Sequence, residues 1–133
     1  MKNNIAIVLG SFHRSKVEQM LEQARVTAKE CELNIVAEQW VHGSMEKPLA
    51  LKRLLMQEEV DGALALGIIE SGETKHGLVM GYAVINAMIQ LQMELMKPIG
   101  VGILGPEILP SQIPSRLKPY AKEAVIALKE MLL

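Results

Sequence analysis

The stretch Gly67-Ile68-Ile69-Glu70-Ser71-Gly72-Glu73-Thr74-Lys75-His76 holds residue types that can bind and process an anion. It follows the apolar run Ala63-Leu64-Ala65-Leu66, which reads as a buried strand, and it precedes a run of helix formers from about Thr74. A strand-to-helix loop of this kind gathers free backbone N–H groups and the positive end of a helix dipole, which together bind phosphate. Thr74 adds a hydroxyl and can cap the helix. His76 falls in the first turn, where an imidazole titrating near neutrality can pass protons to a bound ligand. A plain capped loop that holds nothing has a similar composition, so the surrounding elements decide between the two readings.

Those elements alternate. Ile5 to Leu9 is a continuous apolar run ended by Gly10, as expected of a strand covered on both faces. Ser15 with Glu18 forms a capping-box pattern, and the helix it opens runs to about Glu30, with Val17, Met20, Leu21, Ala24, Ala28 and Cys31 on one stripe. Asn34 to Val41 is a more polar strand, suited to an edge. After the loop His42-Gly43-Ser44-Met45-Glu46-Lys47, Pro48 opens a helix to about Gln57 that turns Leu51, Leu54 and Leu55 inward. Val60 to Leu66 is the third strand, and the helix after the 67–76 loop ends near Leu95, before Lys97-Pro98. Ile99 to Leu104 is the fourth strand, closed by Gly105-Pro106. Pro110, Pro114 and Pro119 break the next stretch into short turns before a final helix of about Pro119 to Leu132. The order β-α-β-α-β-α-β-α predicts an α/β three-layer sandwich with a four-stranded parallel sheet, and one domain over 1–133. Ligands bind such sheets beyond the carboxyl ends of the strands. Phe12, His13, His42, Glu46, the 72–76 segment and 105–107 all fall there, including every histidine in the chain.

Composition narrows the function classes. The chain has 133 residues and a net charge of −1, which argues against a nucleic-acid binder relying on a basic surface. With one Trp, two Tyr and one Phe against nine Met, the core must be aliphatic. A single cysteine, Cys31, excludes an internal disulfide framework and fits a reducing compartment. The apolar run after Met1-Lys2-Asn3-Asn4 is too short for a signal peptide, and no segment reads as the ~18 uninterrupted apolar residues of a membrane span. The expectation is a cytoplasmic protein without a membrane or nucleic-acid partner. The helix over 77–96 is apolar nearly all round, with Leu78, Val79, Met80, Tyr82, Ile85, Met88, Ile89 and Met93 among others. A thin four-stranded domain can cover only one side of it, so the remainder is expected to meet another subunit. Cover by the C-terminal segment is the alternative.

Three segments together resemble the lumazine synthase family in its archaeal-like form. They are Trp40-Val41-His42-Gly43-Ser44-Met45-Glu46-Lys47-Pro48-Leu49, Ala65 to His76 with Gly72-Glu73-Thr74-x-His76, and Lys97-Pro98 through Gly105. The resemblance implies a flavodoxin-like subunit and homopentamers, sometimes joined as decamers or sixty-subunit shells. It implies condensation of 5-amino-6-(D-ribitylamino)uracil with 3,4-dihydroxy-2-butanone 4-phosphate, a step of riboflavin biosynthesis that uses no metal or organic cofactor. Carried over by position, Phe12 stacks on the pyrimidine, Ile69 and Glu70 meet its edge, and Glu46 holds ribityl hydroxyls with Ser44 and Met45 beside it. Gly72, Glu73 and Thr74 form the phosphate loop, His76 transfers protons, Arg116 clamps the phosphate and Lys122 lies near the ribityl chain. Val101 takes the place of a frequent Phe from the neighbouring subunit.

The sequence departs from the family pattern at several of these positions. Met45 replaces the usual Phe, His42 the usual Pro, and Glu70 an apolar residue; His13 stands for a common Asn. Taken alone, His42 reads as a loop residue bonded to backbone, His13 as a helix cap, Glu46 as a first-turn acid and Trp40 as core or interface. Competing readings are a zinc site built from His13, His42 and His76, an archaeal-type riboflavin synthase, and a non-catalytic lumazine-binding or shell-forming paralogue.

Overall fold

The computed structural model describes residues 2–132. Strands β1 (Asn4–Gly10), β2 (Asn34–Val41), β3 (Gly62–Glu70) and β4 (Ile99–Ile108) alternate with helices α1 (Arg14–Glu30), α2 (Lys47–Leu55), α3 (His76–Leu95) and α4 (Leu117–Met131). All pairings are parallel and the strand order is β2-β1-β3-β4, the flavodoxin-like arrangement. The polar strand β2 lies at an edge, as its composition predicts.

The central strands show why continuous apolar runs are needed here. Ile5, Ile7 and Leu9 of β1, with Leu64 and Leu66 of β3, pack against α1 and α4. The alternate residues Ala6, Val8, Ala63 and Ala65 pack against α2 and α3 on the other face. All nine are fully buried. Burying each large aliphatic side chain stabilises the fold by roughly 1.5–3 kcal/mol before entropy is counted.

Beyond shifts of one or two residues at α2, α4 and the start of β3, four boundaries differ from expectation near the site. Helix α1 begins at Arg14, with His13 as a left-handed N-cap (φ 58°) and no side-chain cap bond, so Ser15 and Glu18 form no capping box. Glu18 instead accepts from Arg14 Nε at 3.2 Å. Strand β3 runs four residues past Leu66, because buried Ile68 and Ile69 continue it beside β4. Strand β4 likewise passes through Gly105 (φ 96°) and a cis Gly105–Pro106 bond to Ile108 rather than closing there. Thr74 lies just before α3, whose N-cap is Lys75, yet its Oγ1 still accepts from the His76 N–H at 3.3 Å.

Helix α3 is also, by length and composition, comparable with a membrane span, contrary to the expectation that no segment is. It packs on the sheet through Gly81, Val84, Met88 and Leu91. Asn86 and Gln90 are exposed along it, and Gln92 accepts from the Ile99 N–H at 3.0 Å. Val79, Tyr82, Ile89 and Met93 remain exposed, so neither the sheet nor the C-terminal segment covers that side.

Candidate active site

The carboxyl ends of β1, β2 and β3 and the start of α3 enclose a cleft of about 480 Å³. Phe12 and His13 enter from the end of β1. Phe12 is 62% exposed, and its ring stands edge-on to His42 with centroids 5.9 Å apart. An aromatic ring displayed at a strand end offers a stacking face that a core position would hide.

The turn from β2 into α2 brings His42, Gly43, Ser44, Met45 and Glu46 to the cleft. Glu46 Oε1 accepts from the Gly43 N–H at 2.8 Å, which fixes the carboxylate and leaves its second oxygen without a partner among the described residues. The end of β3 supplies Ile68, Ile69 and Glu70. Glu70 Oε2 lies 3.1 Å from His13 Nε2. The Ser71 N–H donates to Ile108 O at 2.8 Å, so the extension of β4 anchors the turn that follows.

Gly72, Thr74, His76, Gly77 and Met80 complete the wall. The backbone N–H groups of Gly72, Glu73, Thr74 and Lys75 have no acceptor among the described residues. They lead directly into the positive end of a 20-residue helix, and the space around Gly72 is open. Successive unpaired amides at a helix start are suited to an anion. His76 is the first residue of that helix and is exposed.

The cleft thus brings together Phe12, Ser44, Met45, Glu46, Ile69, Glu70, Gly72, Thr74 and His76. Other positions singled out from sequence lie elsewhere in the protomer. Glu73 is exposed just outside the lining. Val101 borders a separate hollow at edge strand β4, with Pro119 and Tyr120 of α4. Arg116 is exposed and donates from Nη1 to Gln112 O at 2.8 Å, while Lys122 is exposed on α4. Among the described residues no group of three or more His, Cys, Asp or Glu side chains can hold a metal ion, although all three histidines line the cleft. Trp40 is half-buried against the core beneath the Arg14 guanidinium, 4.1 Å away.

Sequence reasoning passed over Lys47. This side chain is fully buried, and burial pushes its amine down to about 8. A Cβ at Gly67 would overlap Nζ, and one at Gly10 would lie 3.3 Å away, so Gly67 within β3 and Gly10 at the end of β1 form the slot that admits it. The signal was present: Lys47, Leu51 and Leu54 share the inward stripe of α2 at helical spacing.

The 6,7-dimethyl-8-ribityllumazine synthase family model matches residues 2–133. The chain belongs to this family. It is 34% identical to the 6,7-dimethyl-8-ribityllumazine synthase of Staphylothermus marinus over 96% of this chain and 85% of the relative. It is also 34% identical to that of Picrophilus torridus, over 96% and 93% respectively, and to that of Metallosphaera sedula, over 91% and 80%. Within this lumazine synthase fold, His13, His42, Met45 and Glu70 all line the cleft.

Proposed function

We propose that the chain is a 6,7-dimethyl-8-ribityllumazine synthase of riboflavin biosynthesis. It joins 5-amino-6-(D-ribitylamino)uracil to 3,4-dihydroxy-2-butanone 4-phosphate and works as one unit over 1–133 in the cytoplasm. The observation that carries this reading is His76 at the first residue of α3, next to four amides with no acceptor among the described residues, in the cleft that also displays Phe12.

The loop amides and the Thr74 hydroxyl take the phosphate, with Glu73 contributing its backbone N–H. Phe12 stacks on the pyrimidine, the Ile69–Glu70 segment meets its edge, and Ser44, Met45 and Glu46 take the ribityl chain. The amine attacks the ketone, water and phosphate leave, and the ring closes. Each step moves a proton, and His76 carries it. Holding both substrates in one cleft supplies much of the acceleration. No metal or organic cofactor takes part.

Arg116, Lys122 and Val101 act from a neighbouring copy of the chain. Two observations support this. They lie away from the protomer's own cleft, and α3 exposes Val79, Tyr82, Ile89 and Met93 along one side. Such an apolar side is covered by packing copies together in a closed ring, with the pentamer as the unit and decamers or sixty-subunit shells built from it.

A turnover assay with both substrates, followed by sizing of the assembly, tests the reading. Lumazine and phosphate formation by an oligomer is the expected result. Riboflavin formed from lumazine alone would assign the chain as a riboflavin synthase. Lumazine binding without turnover would make it a non-catalytic paralogue.

A further inference from the structure

Lys47 Nζ sits between β1 and β3, at the place where the strand order reverses. Its single hydrogen bond among the described residues goes to Ser44 Oγ, at 3.4 Å. A lysine ammonium has donors only, so the serine oxygen must accept. The Ser44 O–H hydrogen is then directed away from Nζ, and no acceptor among the described residues takes it. Ser44 lines the cleft. Its turn-mate Glu46 is acceptor-only and is already fixed through Gly43.

We propose that Lys47 is a positioning residue that holds Ser44 as an obligatory donor into the cleft, matched to a hydroxyl oxygen of the substrate's polyol chain, while Glu46 accepts from another hydroxyl. The inference rests on the reading of the cleft as a ribitylaminopyrimidine site. A donor and an acceptor two residues apart on one turn read the dual character of a polyol, whose hydroxyls both give and take hydrogen bonds. The arrangement also accounts for a buried cation without a carboxylate partner. An apolar side chain would fit the interior better, yet it would leave the serine hydroxyl free to rotate.

The test is a double-mutant cycle between Lys47→Met and Ser44→Ala, with KM measured for each substrate. Lys47→Met keeps the length of the side chain and removes its charge, so it is expected to raise the midpoint of thermal unfolding. It is also expected to raise KM for the ribitylaminopyrimidine about 10-fold. KM for the butanone phosphate should change by less than about 2-fold. Ser44→Ala should do the same, and the double variant should be no worse than either single one. An unchanged pyrimidine KM in Lys47→Met, equal rises for both substrates, or effects that multiply in the double variant would overturn the proposal. Wild-type protein without turnover would count against the catalytic reading instead. The same comparison is then made by calorimetric binding of 6,7-dimethyl-8-ribityllumazine, with the same outcomes deciding.

Discussion

His13 Nε2 meets Glu70 Oε2 at 3.1 Å, tying the left-handed turn after β1 to the last residue of β3. Both residues line the cleft. With each side chain 30% exposed, the contact contributes little to stability. A double-mutant cycle of His13→Asn and Glu70→Val should give a coupling below about 1 kcal/mol in urea unfolding. The functional effect should be larger. Under the proposed function, His13→Asn leaves the carboxylate without its partner beside the pyrimidine edge, whose carbonyl oxygens would repel it. Pyrimidine KM is expected to rise about 3- to 10-fold in that variant and to recover in the double one. Equal KM values in all four proteins would detach the pair from substrate binding.

His76→Ala removes the imidazole from the mouth of α3 while leaving the loop amides in place. Turnover is expected to fall about 10- to 1000-fold, with substrate affinity retained. Steady-state kinetics paired with equilibrium binding separates the two effects. Unchanged kcat would mean that another group moves the protons.

Arg116 lies outside the cleft of its own protomer, so under the proposed function it acts from a neighbouring copy. Arg116→Ala should raise KM for the phosphate substrate, with a smaller effect on the pyrimidine. Coassembling impaired His76→Ala chains with Arg116→Ala chains should restore part of the activity, because some clefts then pair an intact His76 with a neighbour's intact Arg116. Mixed assemblies no more active than their components would argue against a shared site.

Lys47 makes stability depend on pH in an unusual direction. Its folded-state value of about 8 lies below the ordinary 10.5, so between those limits the unfolded chain holds a proton that the folded chain has released. The share of stability due to Lys47 is therefore lowest below pH 8 and rises as pH climbs toward 10.5, by on the order of 3 kcal/mol. Lys47→Met should be the more stable protein at neutral pH, and its advantage should shrink across that range. Denaturant unfolding of both proteins at several pH values measures the gap. A gap constant with pH would show that the amine is not desolvated.

Much of the fold was legible because the apolar runs are long and the loops between them are marked by Gly and Pro. Ile5 to Leu9 reads as a covered strand from its side chains alone, and Asn34 to Val41 as an edge strand from its polarity. The same punctuation misled at two places. Gly67 looks like a strand end, yet it is a mid-strand opening for Lys47; Gly105-Pro106 looks like a stop, yet β4 continues beside Ile68 and Glu70. The cap at Ser15 failed because the left-handed turn at His13 starts the helix earlier. Within the site, the β3–α3 loop and the turn before α2 were readable from residue type and order. Lys47 was missed because a lysine beside a helix-opening proline suggests solvent, and its burial depends on glycines far away in the chain. Nothing in one sequence indicates that Arg116 and Lys122 lie away from the cleft, since that follows from how α4 packs.

The slot between β1 and β3 ties distant positions into one unit of variation. A methyl group at position 67 and a long side chain at position 47 cannot occupy the same volume. Alanine at 67 requires the Lys47 amine to shift or residue 47 to shorten, and either change moves the cation from beneath the cleft. The two sites are thus bound to drift together, and an engineer altering ligand preference here should treat them as a single locus.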